Sequence, residues 1–312
     1  MTNKESIAAR HYLAVFGWLA IGFLTLVAAA NFWVDPWQYF DRNTLGIYTN
    51  TDLPPKIAGM KRHPQSAILL GNSKAGLTDV ALIHGPAPFY NAGLGGAEVE
   101  KILAMLRRVP PTAPLVVVEL DAMEFGDDQP VQSDPIPDLT IHDYLVYLFS
   151  RQIFGFSVKT VAEAASHQPP VYRDDGTFIA TGWYQHYDIV DPAAHLRLLD
   201  EEEAQMRHLH YLPERLAYLL PLRAALEARG RPYLVFIQPM QTELHDRLRR
   251  AGLGPSFDAV RARILQVFPH AVDLTDSPYA DPKNFFHQDV LHPYPNIGAD
   301  LINRDVLPQL SQ

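Results

Sequence analysis

Residues 12–33 read YLAVFGWLAIGFLTLVAAANFW, 22 positions without one Asp, Glu, Lys, Arg or His. Wound as an α-helix the run extends about 33 Å, enough to cross the ~30 Å hydrocarbon core of a bilayer. One membrane-spanning helix is the reading that fits. Lys4 and Arg10 precede the run and Asp35 and Asp41 follow it, so the positive-inside bias keeps the N-terminus cytoplasmic and exports the rest. Trp33, Trp37, Tyr39 and Phe40 then fall at the far interface, where amphipathic rings are favoured. Two alternatives stay open: a cleavable signal peptide, with Ala28-Ala29-Ala30 as its small-residue cleavage site, and a helix buried in a soluble core.

The remainder is long enough, and at 47% hydrophobic residues apolar enough, for a proper core. A formal net charge of -9 with no long Lys/Arg run argues against nucleic acid as a partner. The chain has no cysteine, which excludes disulfide frameworks, thiolate zinc sites and cysteine nucleophiles.

Three parts are expected: residues 1–34 as cytoplasmic tip and transmembrane anchor, 35–65 as an aperiodic juxtamembrane connector, and 66–312 as the folded domain. Within it, 66–70 (SAILL) is a short apolar run ending in Gly71-Asn72-Ser73, the signature of a buried strand entering a tight turn. Residues 89–93 (FYNAG) resemble a second strand, followed by a helical pattern over 98–108. Residues 115–120 (LVVVEL) are β-branched, as a central parallel strand requires, and run into Asp121. Residues 126–211, rich in aromatics, His and Pro, read as an insertion or cap, helical only near 144–165. Order returns with helices near 212–229, 244–251 and 256–267, strands at 232–238 and 271–274, and a last helical pattern through Ile297, Leu301, Ile302 and Val306. Strands alternating with helices imply an α/β fold, a three-layer α/β/α doubly wound parallel sheet preceded by one N-terminal transmembrane helix.

Such a sheet gathers the loops beyond its strands' carboxyl ends, and Ser73, Gly93 to Gly96 and Asp121 all occupy such loops. A serine on a strand-to-helix turn can present its hydroxyl while backbone donors there and in a glycine loop face the same substrate oxygen. Near the C-terminus, Asp289-Val290-Leu291-His292 supplies a carboxylate and an imidazole three residues apart, able to face the same way on one turn of backbone.

In this order, Gly71-Asn72-Ser73, Asn91-Ala92-Gly93 and Asp289-x-x-His292 resemble the block I, block II and block V motifs of SGNH (GDSL-like) hydrolases. With the apolar N-terminal run, GNSKAG, NAGLGG, VVVELDAMEF and VLHPYPNIG are similar to bacterial membrane-anchored SGNH-like proteins associated with acylation of cell-envelope polysaccharides. The resemblance implies an SGNH/flavodoxin-like domain on the outer face of the bacterial inner membrane, reached by a single pass. It implies Ser73 as nucleophile, His292 as general base, Asp289 as its orienting carboxylate and Gly93 as an oxyanion donor, with no cofactor. It further implies a serine esterase or O-acyltransferase whose substrate is a glycan, with other envelope polysaccharide-modification proteins as partners. The alternative is an inactive SGNH-like scaffold that binds glycan or partner proteins.

Block III departs from the pattern. Hydrolytic members carry Gly-x-Asn-Asp there, and this chain has Glu119-Leu120-Asp121-Ala122; an ionised Asp121 cannot donate to an oxyanion. Asp121 is then a substrate ligand or a helix cap. Lys74 is an anion-attracting group or a solvated turn residue, and Asn72 a substrate contact or turn chemistry. Asp289 has a rival role as cap of the terminal helix, and Gln238-Pro239-Met240 lines the cleft or simply ends a strand. The histidines at 142, 167, 186, 208, 210 and 287 are scattered without a matched carboxylate set, so no metal is expected. A nucleotide-binding reading of Gly93-x-Gly95-Gly96 lacks the full dinucleotide spacing.

Overall fold

The computed structural model describes residues 3–48, 53–126, 131, 136, 138–207 and 211–311. Helix α1 (Asn3–Val34) is followed by α2 (Leu53–Arg62), β1 (Ala67–Leu70), α3 (Ser73–Leu77), β2 (Phe89–Asn91), α4 (Val99–Leu106) and β3 (Val116–Leu120). Helices α5 (Ile141–Phe149), α6 (Arg151–Ala165), α7 (Thr181–Tyr187), α8 (Pro192–Met206), α9 (Pro213–Leu216) and α10 (Leu219–Ala228) precede β4 (Tyr233–Ile237). The chain closes through α11 (Thr242–Arg250), α12 (Gly254–Val267), β5 (Val272–Asp273), β6 (Phe285–Phe286), β7 (Asp289–Pro293) and α13 (Pro295–Leu301). These elements divide into two compact units, residues 1–55 with 138–171, and 56–137 with 172–312.

The first unit is built on α1, whose residues Arg10–Val34 form one apolar helix long enough to span a membrane. Side chains before Val27 are mostly exposed; Val27 and Asn31 are buried where α5 and α6 pack against the helix. An amide buried there must be satisfied. The Asn31 amide donates to the carbonyls of Leu148 (2.9 Å) and Ser150 (3.1 Å) at the end of α5, and its Oδ1 accepts from the Ser157 hydroxyl of α6 (3.0 Å). Asp35, in left-handed backbone at φ 48°, accepts from the N–H groups of Tyr39, Phe40 and Arg42 and from the Tyr147 hydroxyl. Within 126–211, the helical stretch expected near 144–165 is α5 and α6, which belong with α1, while α7 and α8, not expected, fall in the other unit.

The second unit is a parallel β-sheet flanked by α-helices. Its order is β2-β1-β3-β4-β5 with every neighbouring pair parallel, in registers such as Ile68 opposite Val116 and Val118 opposite Val235. The alternation of strand side chains divides the core. Leu69, Val117, Leu115 and Phe236 pack on one face with Leu301, Ile302 and Val306 from the terminal helical segment. Ile68, Leu70, Val116 and Val118 are equally buried on the opposite face, where α4 and α10 pack together. The connector differs from the aperiodic segment expected: α2 occupies 53–62, because Pro54 and Pro55 sit in its first turn, where a missing N–H costs no helical hydrogen bond.

Candidate active site

Strand β1 ends at Leu70, and Gly71 permits the turn. A Cβ there would lie 2.7 Å from the Ala75 Cβ and 2.8 Å from the Glu119 Cβ, so any other residue would push α3 off the neighbouring strand. Asn72 caps α3, its Oδ1 accepting the Lys74 N–H at 2.8 Å, while its own N–H donates to Glu119 Oε2 at 2.9 Å. Ser73 is thereby the first residue of the helix, half-buried at the edge of a cleft of about 120 Å³.

The other side of the cleft comes from the antiparallel pair β6–β7. Asp289 and His292 lie on a strand rather than a helical turn, and the carboxylate folds over its own backbone to bring them together. Asp289 Oδ1 accepts the N–H groups of Leu291 (3.0 Å) and His292 (3.2 Å), and Oδ2 meets His292 Nδ1 at 2.8 Å. A carboxylate only accepts, so Nδ1 carries the proton and Nε2 of the neutral ring is an acceptor. His292 Nε2 stands 2.8 Å from the Ser73 hydroxyl, 219 positions away in sequence. Helix α13 is capped without help from Asp289, since Tyr294 fills the cap position with no side-chain hydrogen bond. Hydroxyl, imidazole and carboxylate thus form one continuous chain that can draw a proton off Ser73.

The remaining candidates divide. Asn72 and Lys74 line the cleft with Ser73 and His292. Gly93 does not: its N–H donates inward to Asn91 Oδ1 at 3.0 Å, and a Cβ on it would fall 2.8 Å from the Ala75 carbonyl carbon and nearer still to the Gly76 nitrogen of α3. Of the loop glycines 93, 95 and 96, the one that lines the cleft is Gly96, in left-handed backbone at φ 59°. Asp121 caps the turn after β3 by accepting the Met123 N–H at 3.0 Å. Its other oxygen binds the Lys74 ammonium, so the two residues first considered for substrate contact are partners of each other. Lys74 is 4% exposed, far from a solvated turn lysine. Gln238 and Met240 line a separate recess with Asp121 and His245. Among the described residues no group of three or more His, Asp and Glu could hold a metal ion, and His208 and His210 lie outside them.

Charge under the cleft is unusually dense. Lys74, Asp121, Glu119 and Glu124 are all buried, and one ammonium can compensate only one carboxylate. Asp121 takes that position. Burial pushes the Lys74 ammonium down, but the attraction and hydrogen bond of Asp121, with smaller contributions from Glu119 and Glu124, together outweigh it and the net shift is upward. Burial, with Asp121 adding repulsion, pushes the Glu119 carboxyl up to about 8, and burial with repulsion from Glu119 pushes Glu124 well above the carboxylate range. Both shifts favour the neutral acid over the carboxylate. Glu124 has no hydrogen-bond partner for either oxygen among the described residues, and it lines the cleft beside Arg215, which is paired with Glu100 at 3.2 Å.

Glu124 and Arg215 escaped the sequence reading. The first stands three residues after Asp121 in an apolar run, a faint signal that it is buried, and the second sits in a short charged helix that reads as surface. Glu202 on α8 was missed too. Its carboxyl is raised by burial and by the charge of Asp289, which places it near the imidazole-orienting group with nothing in the sequence to say so.

A test follows from Glu119. A carboxyl at 4.5 when unfolded and near 8 when folded holds its proton longer in the native state, so its contribution to stability is full below pH 4.5 and drains away as pH rises through 8. Glu119→Gln is expected to flatten the alkaline loss of stability by up to about 1.4 kcal/mol per pH unit across that window. Chemical denaturation of both proteins at pH 5, 7 and 9 measures it; equal slopes would show that Glu119 titrates normally.

The sequence matches no model of a known protein family, and no curated protein matches it; what the site can do is read from its residues and geometry.

Proposed function

We propose that the chain is an extracytoplasmic serine esterase or O-acyltransferase of the SGNH type, acting on acyl groups, acetyl foremost, of an envelope or exported polysaccharide. The observation that carries this reading is the unbroken Ser73–His292–Asp289 hydrogen-bond chain at the mouth of a cleft. The strand order 2-1-3-4-5 supports a doubly wound, flavodoxin-like sheet, with Ser73 after β1 and Asp121 after β3 at the point where chain direction reverses and ligands collect. His292 takes the Ser73 proton as the hydroxyl oxygen attacks the acyl carbon. It then returns that proton to the departing alkoxide, and water or a sugar hydroxyl receives the acyl group.

The oxyanion needs donors in place of the block III amide. The Ser73 N–H begins α3, Gly96 lines the cleft, and the Asn72 amide nitrogen is left for substrate because Oδ1 is committed to the Lys74 N–H. Asn72→Ser separates the two roles, for serine also caps a helix but lacks the amide donor. The variant is expected to fold normally and lose about 10²- to 10³-fold in kcat. Unchanged kcat would remove Asn72 from the site.

The cleft is small beside the ~300–1,000 Å³ of ordinary ligand pockets, which favours an acetyl group inside and a glycan outside. The full chain in detergent is expected to cleave aryl acetate faster than butyrate and butyrate faster than octanoate, and to release or transfer acetyl on an O-acetylated polysaccharide. No turnover of any ester and no labelling by a fluorophosphonate would favour the inactive glycan-binding scaffold, for which the Asp at block III is the supporting feature.

A further inference from the structure

Helices α5 and α6 expose an apolar surface that nothing in the reaction uses. On α5 the outward stripe is Ile141, Leu145, Val146 and Phe149, and on α6 Val158 and Val161 are also exposed; Ile141 is 80% exposed and Val146 and Val158 are each 55% exposed. Soluble monomers rarely display contiguous apolar area of this kind. The inward faces are fully committed, through Tyr147 to Asp35 and through Ser157 to Asn31, so the pair cannot rotate to hide the stripe.

The position of this surface along α1 identifies its partner. Both helices dock on the last two turns of α1, at Val27 and Asn31, whereas positions 12–26 are mostly exposed along the span. The 25 residues of Arg10–Val34 extend about 37 Å, longer than the ~30 Å hydrocarbon core, so the last turns of α1 reach the headgroup boundary. Aromatic rings crowd that level: Trp37, Tyr39 and Phe40 pack on Tyr147, and Arg42 lies over the rings of Phe32 and Trp33 at 5.2 and 5.7 Å. An aromatic belt with cations beside it is the composition favoured at a membrane–water interface. Arg151 and Lys159, exposed on α6, have stems long enough to bring their charges to headgroup phosphates.

We propose that α5 and α6 form an interfacial membrane-binding surface, lying in the outer leaflet of the bilayer that α1 crosses with their apolar stripe among the acyl chains. The anchor is then a three-helix foot rather than a single flexible tether. Because the foot is locked to α1 by Asn31 and Asp35, it fixes the tilt and rotation of this unit against the membrane plane. The inference rests on α1 spanning a bilayer and is independent of the chemistry at Ser73.

The cysteine-free chain permits a direct test by single spin labels at Val146→Cys, Val158→Cys, Leu19→Cys and Glu201→Cys. The full chain is reconstituted in phosphatidylethanolamine/phosphatidylglycerol nanodiscs, and collisions with oxygen and with a water-soluble nickel chelate are compared. Labels at 146 and 158 are expected to show an oxygen-to-nickel ratio several-fold above that at 201 and below that at 19. A lipid-like ratio at 19 with water-like ratios at 146 and 158 would overturn the proposal while leaving the span intact; a water-like ratio at 19 would overturn both. Low collision rates with both reagents, with spin–spin broadening that unlabelled protein dilutes away, would assign the stripe to a second copy and equally overturn it.

Discussion

Ser73→Ala is expected to abolish fluorophosphonate labelling and to lower kcat on aryl acetate by about 10⁴- to 10⁶-fold, the range seen when a serine triad loses its nucleophile. His292→Ala is expected to cost as much, because the hydroxyl stands 2.8 Å from Nε2 with that ring as its proton acceptor. The double variant is expected to cost no more than either single one, since the two groups act as a unit and their losses do not add. Asp289→Asn leaves side-chain volume unchanged but replaces the acceptor of the Nδ1 proton with an amide that can turn its donor toward the ring. It is expected to lose about 10⁴-fold, with the ring favouring the unproductive tautomer. Additive losses, or Ser73→Ala retaining label, would place the nucleophile elsewhere.

The largest expected effect on stability comes from the neighbouring residue. Lys74 is the only cation bonded to Asp121 among the described contacts, and Lys74→Met leaves a buried carboxylate facing Glu119 and Glu124. Breaking a buried pair from one side typically costs about 3–5 kcal/mol, which for a domain of this size lowers Tm by roughly 10 °C. Lys74→Met with Asp121→Leu is expected to recover most of the loss, because replacing both members by apolar groups removes the stranded charge. Thermal melts of the single and double variants at pH 5 and 8 give the answer. A double variant no more stable than the single one would show that the pair holds the loops together by geometry rather than by charge compensation.

Sequence patterning carried far in this chain where a property depends on neighbours along the backbone. The uncharged run ahead of Asp35 marks a helix long enough to cross a membrane, because the bilayer sets the required length whatever follows. Short β-branched runs such as 115–120 read as buried parallel strands, because a strand covered on both faces has no polar side to alternate with. Gly71-Asn72-Ser73 reads as the start of a helix after a strand, because the Asn72 cap is made to a residue only two positions away. In each case the physical cause lies within one turn or one strand of its effect. Residues 53–62 were the local exception, where a lack of sustained periodicity suggested a connector and two prolines instead open α2.

Only the tertiary structure could decide which polar groups face one another. Lys74 and Asp121 are 47 positions apart and pair because β1 and β3 are adjacent in the sheet. The Gly93 N–H is spent on Asn91 while Gly96 reaches the cleft, a choice made by a close approach to α3 that no motif records. Glu124 and Arg215 enter the cleft through burial, and α5 and α6 turn an apolar stripe outward because Asn31 and Asp35 claim their other faces. Contacts across such separations depend on the register and packing of whole elements. The sequence by itself determined a helix long enough to span a membrane, the strands of the parallel sheet and the residue types at their ends; packing determined the β6–β7 pair and which of those residues meet, since hydrogen-bond partners and the free energy of buried charge are set by distances that chain order does not contain.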